Sequence, residues 1–153
     1  MVDFPPSYLI NKTLTVGVIY KFKAPEFLEN NDTPHYFIVV ATYGNDNFLV
    51  CCTSQVSKKA SYFDRNQLDY NTLVYLAPHK NSPFTKDTVV NCNEYFTISK
   101  EKLIKKCSDK SFKLGGNLSL NEYTQIYNGI KNSEVSDIGS FLLHPDEYEK
   151  QLK

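Results

Sequence analysis

The alternation of apolar and polar positions divides the chain into a strand-rich first two-thirds and a helical last third. His35-Tyr-Phe-Ile-Val-Val-Ala-Thr-Tyr43 is a continuous run of β-branched and aromatic residues, the composition of a strand. Gly44-Asn-Asp-Asn47 is turn chemistry and Phe48-Leu-Val-Cys-Cys-Thr53 is the return, so 35–43 and 48–53 are predicted to pair as a hairpin. Upstream, 16–22 reads as a first strand and 23–34, with Pro25 and Pro34, as a long polar connection. The Pro5-Pro6 pair marks 1–14 as an irregular arm. Downstream, 54–70 reads as a polar, basic loop, 73–76 as a fourth strand and 78–87 as a second loop restricted by Pro83. A fifth strand is predicted at 88–92 and a short sixth at 95–98.

Beyond Ile98 the period changes. Ser99 offers a hydroxyl cap to an amphipathic helix over 99–106 anchored by Leu103 and Ile104. The Gly-Gly pair within 113–117 reads as a turn. Ser119 and Glu122 have the spacing of a capping box, and Leu120, Tyr123, Ile126, Tyr127 and Ile130 then share one face of a helix over 119–130, a stripe read as core. Residues 134–153 form either a last short helix or a docked tail. Strands followed by helices are the α+β pattern, and five or six short strands in hairpin order suit a small, closed or nearly closed antiparallel β barrel. One domain is expected over 1–153, with a barrel core at 15–98, a helical part at 99–132 and a C-terminal extension at 133–153.

Composition narrows the function. Lys plus Arg and Asp plus Glu both number 17, a balance that excludes a protein coating nucleic acid by charge alone and leaves room for a local basic groove. Arg65 is the only arginine, so any chemistry needing a guanidinium fork depends on it. Cys51, Cys52, Cys92 and Cys107 have no C-x-x-C spacing, and adjacent Cys51 and Cys52 on a strand point to opposite faces. His35, His79 and His144 are far apart, so neither a metal site nor a cofactor is expected. With neither a signal peptide nor a long apolar run, the expected location is the cytoplasm, without membrane contact and with reduced thiols.

Five passages, in order, resemble the PemK/MazF-like family, ribonuclease toxins of bacterial toxin–antitoxin pairs. They are Gly17-Val-Ile-Tyr20, His35-Tyr-Phe-Ile-Val-Val40, Cys51-Cys-Thr-Ser-Gln55, Thr88-Val-Val-Asn-Cys-Asn93 with Ile98, Leu103 and Ile104, and Gly116-Asn-Leu-Ser119 leading into the Tyr123–Ile130 helix. The resemblance covers about 15–132 and implies an SH3-like barrel with appended helices, a homodimer, single-stranded RNA as substrate and a cognate antitoxin as partner. One position departs: the family's arginine falls on Tyr36, or on His35 if the alignment slides by one. Tyrosine cannot bring a permanent positive charge to a phosphate, whereas a protonated histidine can.

Metal-free RNA cleavage needs a base for the ribose 2′-OH, an acid for the leaving 5′-oxygen and donors for the charge growing on phosphorus. His35 opens a strand after a loop and is the candidate for proton transfer, since an unperturbed imidazole titrates near pH 6.5. Without a role it is an exposed strand-end histidine. Thr53 and Ser54 are the candidate phosphate donors, or else satisfied turn hydroxyls. Tyr36, Gln55, Lys58, Lys59 and Arg65 are the candidate RNA contacts, with Tyr62 and Phe63 interleaved for stacking; the bland reading of the basic residues is a solvated loop. His79 and His144 are read as inert. The expected activity is therefore sequence-selective, metal-independent cleavage of single-stranded RNA, and the competing expectation is a noncatalytic RNA- or protein-binding module on the same barrel.

Overall fold

The computed structural model describes residues 4–29 and 31–153; the start of the arm expected at 1–14, and Asn30 of the long connection, lie outside the described residues. Within them the chain forms seven strands and five α-helices. These are α1 (Pro6–Thr13), β1 (Val18–Phe22), β2 (His35–Tyr43), β3 (Asp46–Thr53), α2 (Val56–Arg65), β4 (Leu73–Leu76), β5 (Thr88–Asn91), β6 (Phe96–Ser99), α3 (Lys100–Cys107), β7 (Lys113–Asn117), α4 (Leu120–Asn132) and α5 (Pro145–Gln151).

The α+β class holds, but the sheet is open. Its antiparallel order is β4-β5-β3-β2-β1-β7, and β6 pairs separately with β3. A closed barrel is therefore a correction: β4 and β7 are the two ends of the path and do not pair. The reason lies in burial. Every residue from Phe37 to Ala41 is buried, so β2 is covered on both faces instead of lining a barrel interior on one. Ile38, Val40, Val50 and Cys52 pack with Tyr123, Ile126 and Ile130 of α4 and Tyr148 of α5. Phe37, Val39 and Leu49 pack on the opposite face with Ile10 of α1 and Leu103 of α3. Cys51 and Cys52 accordingly belong to opposite faces, as the alternation of a strand requires.

β3 has a forked outer edge. Asp46 to Leu49 pair with β6, whereas Cys52 and Thr53 pair with β5. Val50 and Cys51 lie between the two ladders. A register shift between Val39 and Ala41 on β2 bends the hairpin at the same level.

Three local expectations are corrected. The proline pair starts α1 instead of leaving an irregular arm, because proline at the first helical turn has no N–H to lose. The polar segment after Thr53 is helix α2, with only Phe63 buried. The Gly-Gly turn is β7, paired with β1. A Cβ on Gly115 would lie 2.9 Å from Ile19 Cγ2, so glycine here permits strand-to-strand approach, and Gly116, at φ +79°, falls where the β1–β7 register shifts. The end of the chain is a docked helix, α5. Tyr148 stacks on Tyr123 with centroids 4.1 Å apart and donates to the Leu118 carbonyl at 2.7 Å, and Gln151 Nε2 donates to the Val16 carbonyl. The capping box of α4 is formed: Ser119 Oγ accepts from the Glu122 N–H, and a Glu122 carboxylate oxygen accepts from the Ser119 N–H. The helix predicted over 99–106 is α3, with Ser99 Oγ accepting from the Lys102 N–H.

Burial pushes the Cys51 and Cys92 thiols from an ordinary 9.0 up to about 12, and the Tyr20 and Tyr148 hydroxyls from 10.0 up to about 12. Above pH 9 the unfolded chain releases these protons while the folded chain keeps them, so the folded state binds more protons and stability falls as pH rises. Denaturant midpoints are expected to be flat up to about pH 8.5 and to drop progressively between pH 9 and 12. A midpoint that holds through pH 11 would show that these groups ionise in place.

Candidate functional site

β2 begins and β3 ends at the same end of the sheet, and two adjoining concavities open there. One, of about 260 Å³, includes Cys51, Thr53, Asn91 and Phe96 in its wall. The other, of about 610 Å³, includes Tyr36, Thr53, Ser54 and Phe84. Asn31, His35, Thr53, Gln55 and Lys58 line both, so the two form one groove over the end of the hairpin. Alternation explains the division. His35 follows the parity of Phe37 and Val39, whereas Tyr36 packs against the opposite cluster with Ile38 and Val40.

His35 is half-buried and pairs with Phe22 on β1. Its Nδ1 lies 2.7 Å from the Thr33 carbonyl oxygen. A carbonyl only accepts, so Nδ1 carries the proton and Nε2 is the free atom of the neutral ring. Asn31 Oδ1 accepts from the Thr33 N–H at 2.9 Å and braces the same turn. His35 and Thr53 each lie two residues beyond the last paired positions of β2 and β3, Phe37 and Cys51. Thr53 Oγ1 accepts from the Gln55 N–H at 3.1 Å, which leaves its own hydroxyl proton to donate. Ser54 is exposed beside it.

The basic loop of the sequence reading is α2, and this changes how its side chains act. Lys58, Tyr62 and Arg65 follow at helical spacing, and with Lys59 they turn one face of α2 toward the smaller concavity while Phe63 anchors the other in the protein. Lys59 Nζ stands 5.2 Å from the Tyr62 ring centroid. All eight residues singled out from sequence, His35, Tyr36, Thr53, Ser54, Gln55, Lys58, Lys59 and Arg65, line this groove.

Two cations escaped the sequence reading. Lys21 on β1 is the register partner of Tyr36, and its Nζ lies 5.0 Å from the Tyr36 ring centroid. Lys86, in the loop after β4, lines the larger concavity. Tyr36 itself meets Phe84 edge to face at 5.3 Å. Strand pairing was the only signal for Lys21, since it is remote from Tyr36 in sequence. The groove therefore gathers Lys21, Lys58, Lys59, Arg65 and Lys86 against a single carboxylate, Glu94. Among the described residues none of the five is ion-paired. In a chain with zero formal net charge this is a concentrated positive field, the kind that draws an anionic ligand.

Cys51 lies in the groove wall, yet burial holds its thiol protonated, which makes it a poor nucleophile. His79 and His144 lie elsewhere: His79 Nε2 is 3.0 Å from Glu122, and His144 caps α5 by accepting from the Asp146 N–H. Among the described residues no group of three or more His, Cys, Asp or Glu side chains is arranged to hold a metal ion, and no helix is long and apolar enough to cross a membrane. No protein-family model and no curated protein sequence matches this chain.

Proposed function

We propose that the groove binds single-stranded RNA and cleaves it without a metal, as an endoribonuclease of the toxin type. The observation that supports this reading best is the meeting, at one end of a hairpin, of a histidine, two hydroxyls and five cations, with Nε2 of the histidine free of hydrogen bonds and all five cations free of ion pairs among the described residues. Nε2 of His35 takes the proton from a ribose 2′-OH. The 2′-oxygen attacks phosphorus and the bond to the 5′-oxygen breaks, leaving a 2′,3′-cyclic phosphate on one product. The 5′-oxygen departs with a proton from solvent or from an ammonium group in the groove. Thr53 and Ser54 donate to the phosphoryl oxygens, and Lys21 and Lys58 offset their charge. Lys21, held across the strand pair from Tyr36, supplies the positive charge that the resemblance placed in the Tyr36 column.

In this reading the forked sheet is an opened relative of the SH3-like barrel. The protein works as a cytoplasmic homodimer, and a cognate antitoxin blocks the groove with an acidic segment. The alternative is a noncatalytic RNA- or protein-binding module, favoured by the way Tyr36 is packed between Phe84 and Lys21.

Incubating the protein with mixed-sequence single-stranded RNA in excess EDTA is expected to give discrete fragments ending in 2′,3′-cyclic phosphate. RNA that stays intact while still binding would establish the noncatalytic reading.

A further inference from the structure

The smaller concavity carries a chemistry that phosphate binding does not explain. Glu94 is the one carboxylate among the groove's cations, where it repels a phosphate. It is exposed, with no ion pair or side-chain hydrogen bond among the described residues. The turn that carries it, between β5 and β6, is tied down on both sides. Asn93 Nδ2 donates to Thr72 Oγ1 at 2.8 Å and to Asn91 Oδ1 at 3.0 Å, and Ser133 Oγ donates to Asn93 Oδ1 at 2.7 Å. Cys92 is fully buried in the core next door. The turn thus fixes where Glu94 leaves the backbone, and its carboxylate lines the cavity free to accept from a ligand that enters it.

Asn91 adds the complementary group. It is only 7% exposed, its Oδ1 is occupied by Asn93, and its Nδ2 has no acceptor among the described residues although the side chain lines the cavity. Nδ2 keeps contact with solvent at the cavity wall and is free to donate to a ligand oxygen or ring nitrogen there. Tyr62 and Phe96 give the same cavity aromatic walls. Its volume of about 260 Å³ is just under the roughly 300–1,000 Å³ of ordinary small-molecule sites, so it takes one ring system.

Of the four RNA bases only guanine sets two adjacent donors, N1–H and the N2 amino group, on its Watson–Crick edge, with acceptors O6 and N7 beyond them. A carboxylate facing adenine or cytosine meets a ring-nitrogen acceptor beside the one amino donor. Facing uracil it meets a single N–H between two carbonyl oxygens. We infer that the cavity between α2 and the β5–β6 turn is a guanine pocket for one nucleotide of the bound strand. Glu94 accepts from the Watson–Crick edge, Asn91 Nδ2 donates to an acceptor of the base, and the ring lies against Tyr62 and Phe96. This deepens the RNA reading above and is separable from it, because a pocket for a base needs no cleavage to be observed.

The test uses ligands that cannot be cut. 5′-GMP, 5′-AMP, 5′-CMP and 5′-UMP are titrated by calorimetry, followed by a short 2′-O-methyl RNA with one guanosine among uridines and the same strand with adenosine in its place. The expected result is a roughly 10- to 100-fold preference for guanine in both sets, the discrimination of one good bidentate pair. Glu94→Gln should level that preference and leave the weaker, salt-sensitive binding of the other strands intact. Equal binding of the four nucleotides, guanine preference in GMP but not in the strand, or an undiminished preference in Glu94→Gln would overturn the pocket. Guanine preference without any RNA cleavage would keep the pocket and remove the nuclease reading. Cleavage with no guanine preference would do the reverse.

Discussion

Tyr148→Ala is expected to remove about 3–5 kcal/mol of folding stability, the usual cost of deleting a large buried aromatic ring. That is a large share of the ~5–15 kcal/mol that holds an ordinary domain together. The side chain is fully buried, stacks on Tyr123, and donates to the Leu118 carbonyl, so the deletion empties a cavity and also orphans a buried acceptor. Tyr148→Phe isolates the second part and should cost roughly 1–3 kcal/mol. Gly17→Ala probes the same contact from the turn just before β1. Gly17 has φ +92°, and a Cβ there would collide with the Tyr148 hydroxyl and the adjoining ring edge, so the variant is strained in its backbone and blocked in space at once. Denaturant unfolding reads all three. A loss below ~1 kcal/mol for Tyr148→Ala would mean that α5 is not part of the cooperative core.

The second large effect is catalytic. His35→Ala is expected to lower RNA cleavage by about 10²–10⁴-fold, the range of a positioned general acid or base. The fold should survive, because the ring is half-buried at a strand end and its only hydrogen bond among the described residues is to the Thr33 carbonyl two residues away. The unfolding midpoint is expected to move by less than ~1 kcal/mol, and binding of a 2′-O-methyl RNA to change little, since Lys21, Lys58, Lys59, Arg65 and Lys86 remain. A variant that cleaves at the wild-type rate removes His35 from the chemistry. One that loses binding and cleavage together makes it a contact residue.

Much of the sheet was legible because its strands announce themselves locally. The apolar run from His35 to Tyr43, the Gly44 turn and the return to Thr53 appear as β2 and β3, and the 73–76 strand matches to the residue. The capping box of α4 and its Tyr/Ile stripe were equally local, and Tyr123, Ile126 and Ile130 are buried as the stripe requires. Closure of the sheet was not legible, because alternation says which face is apolar and not what covers it. The unbroken run of β2 did signal cover on both faces. Helix α2 was hidden by its polarity: Val56 to Arg65 is mostly polar and buries a single side chain, Phe63, although its apolar and polar positions do segregate by face. The helical spacing of Lys58, Tyr62 and Arg65 was present all the same. Lys21, Asn91 and Glu94 enter the groove only through strand pairing and the β5–β6 turn, relations that no local pattern encodes.

The forked edge of β3 separates what holds the molecule together from what lines its groove. Neither ladder crosses the fork, and the turn that spans it is fixed by Cys92 and Asn93, leaving the Glu94 side chain free of internal bonds. Substitution at that one position alters the cavity wall while every strand keeps its partners. Related chains could thus drift in what they recognise without drifting in fold, and variation at this site is the kind that selection can explore one residue at a time.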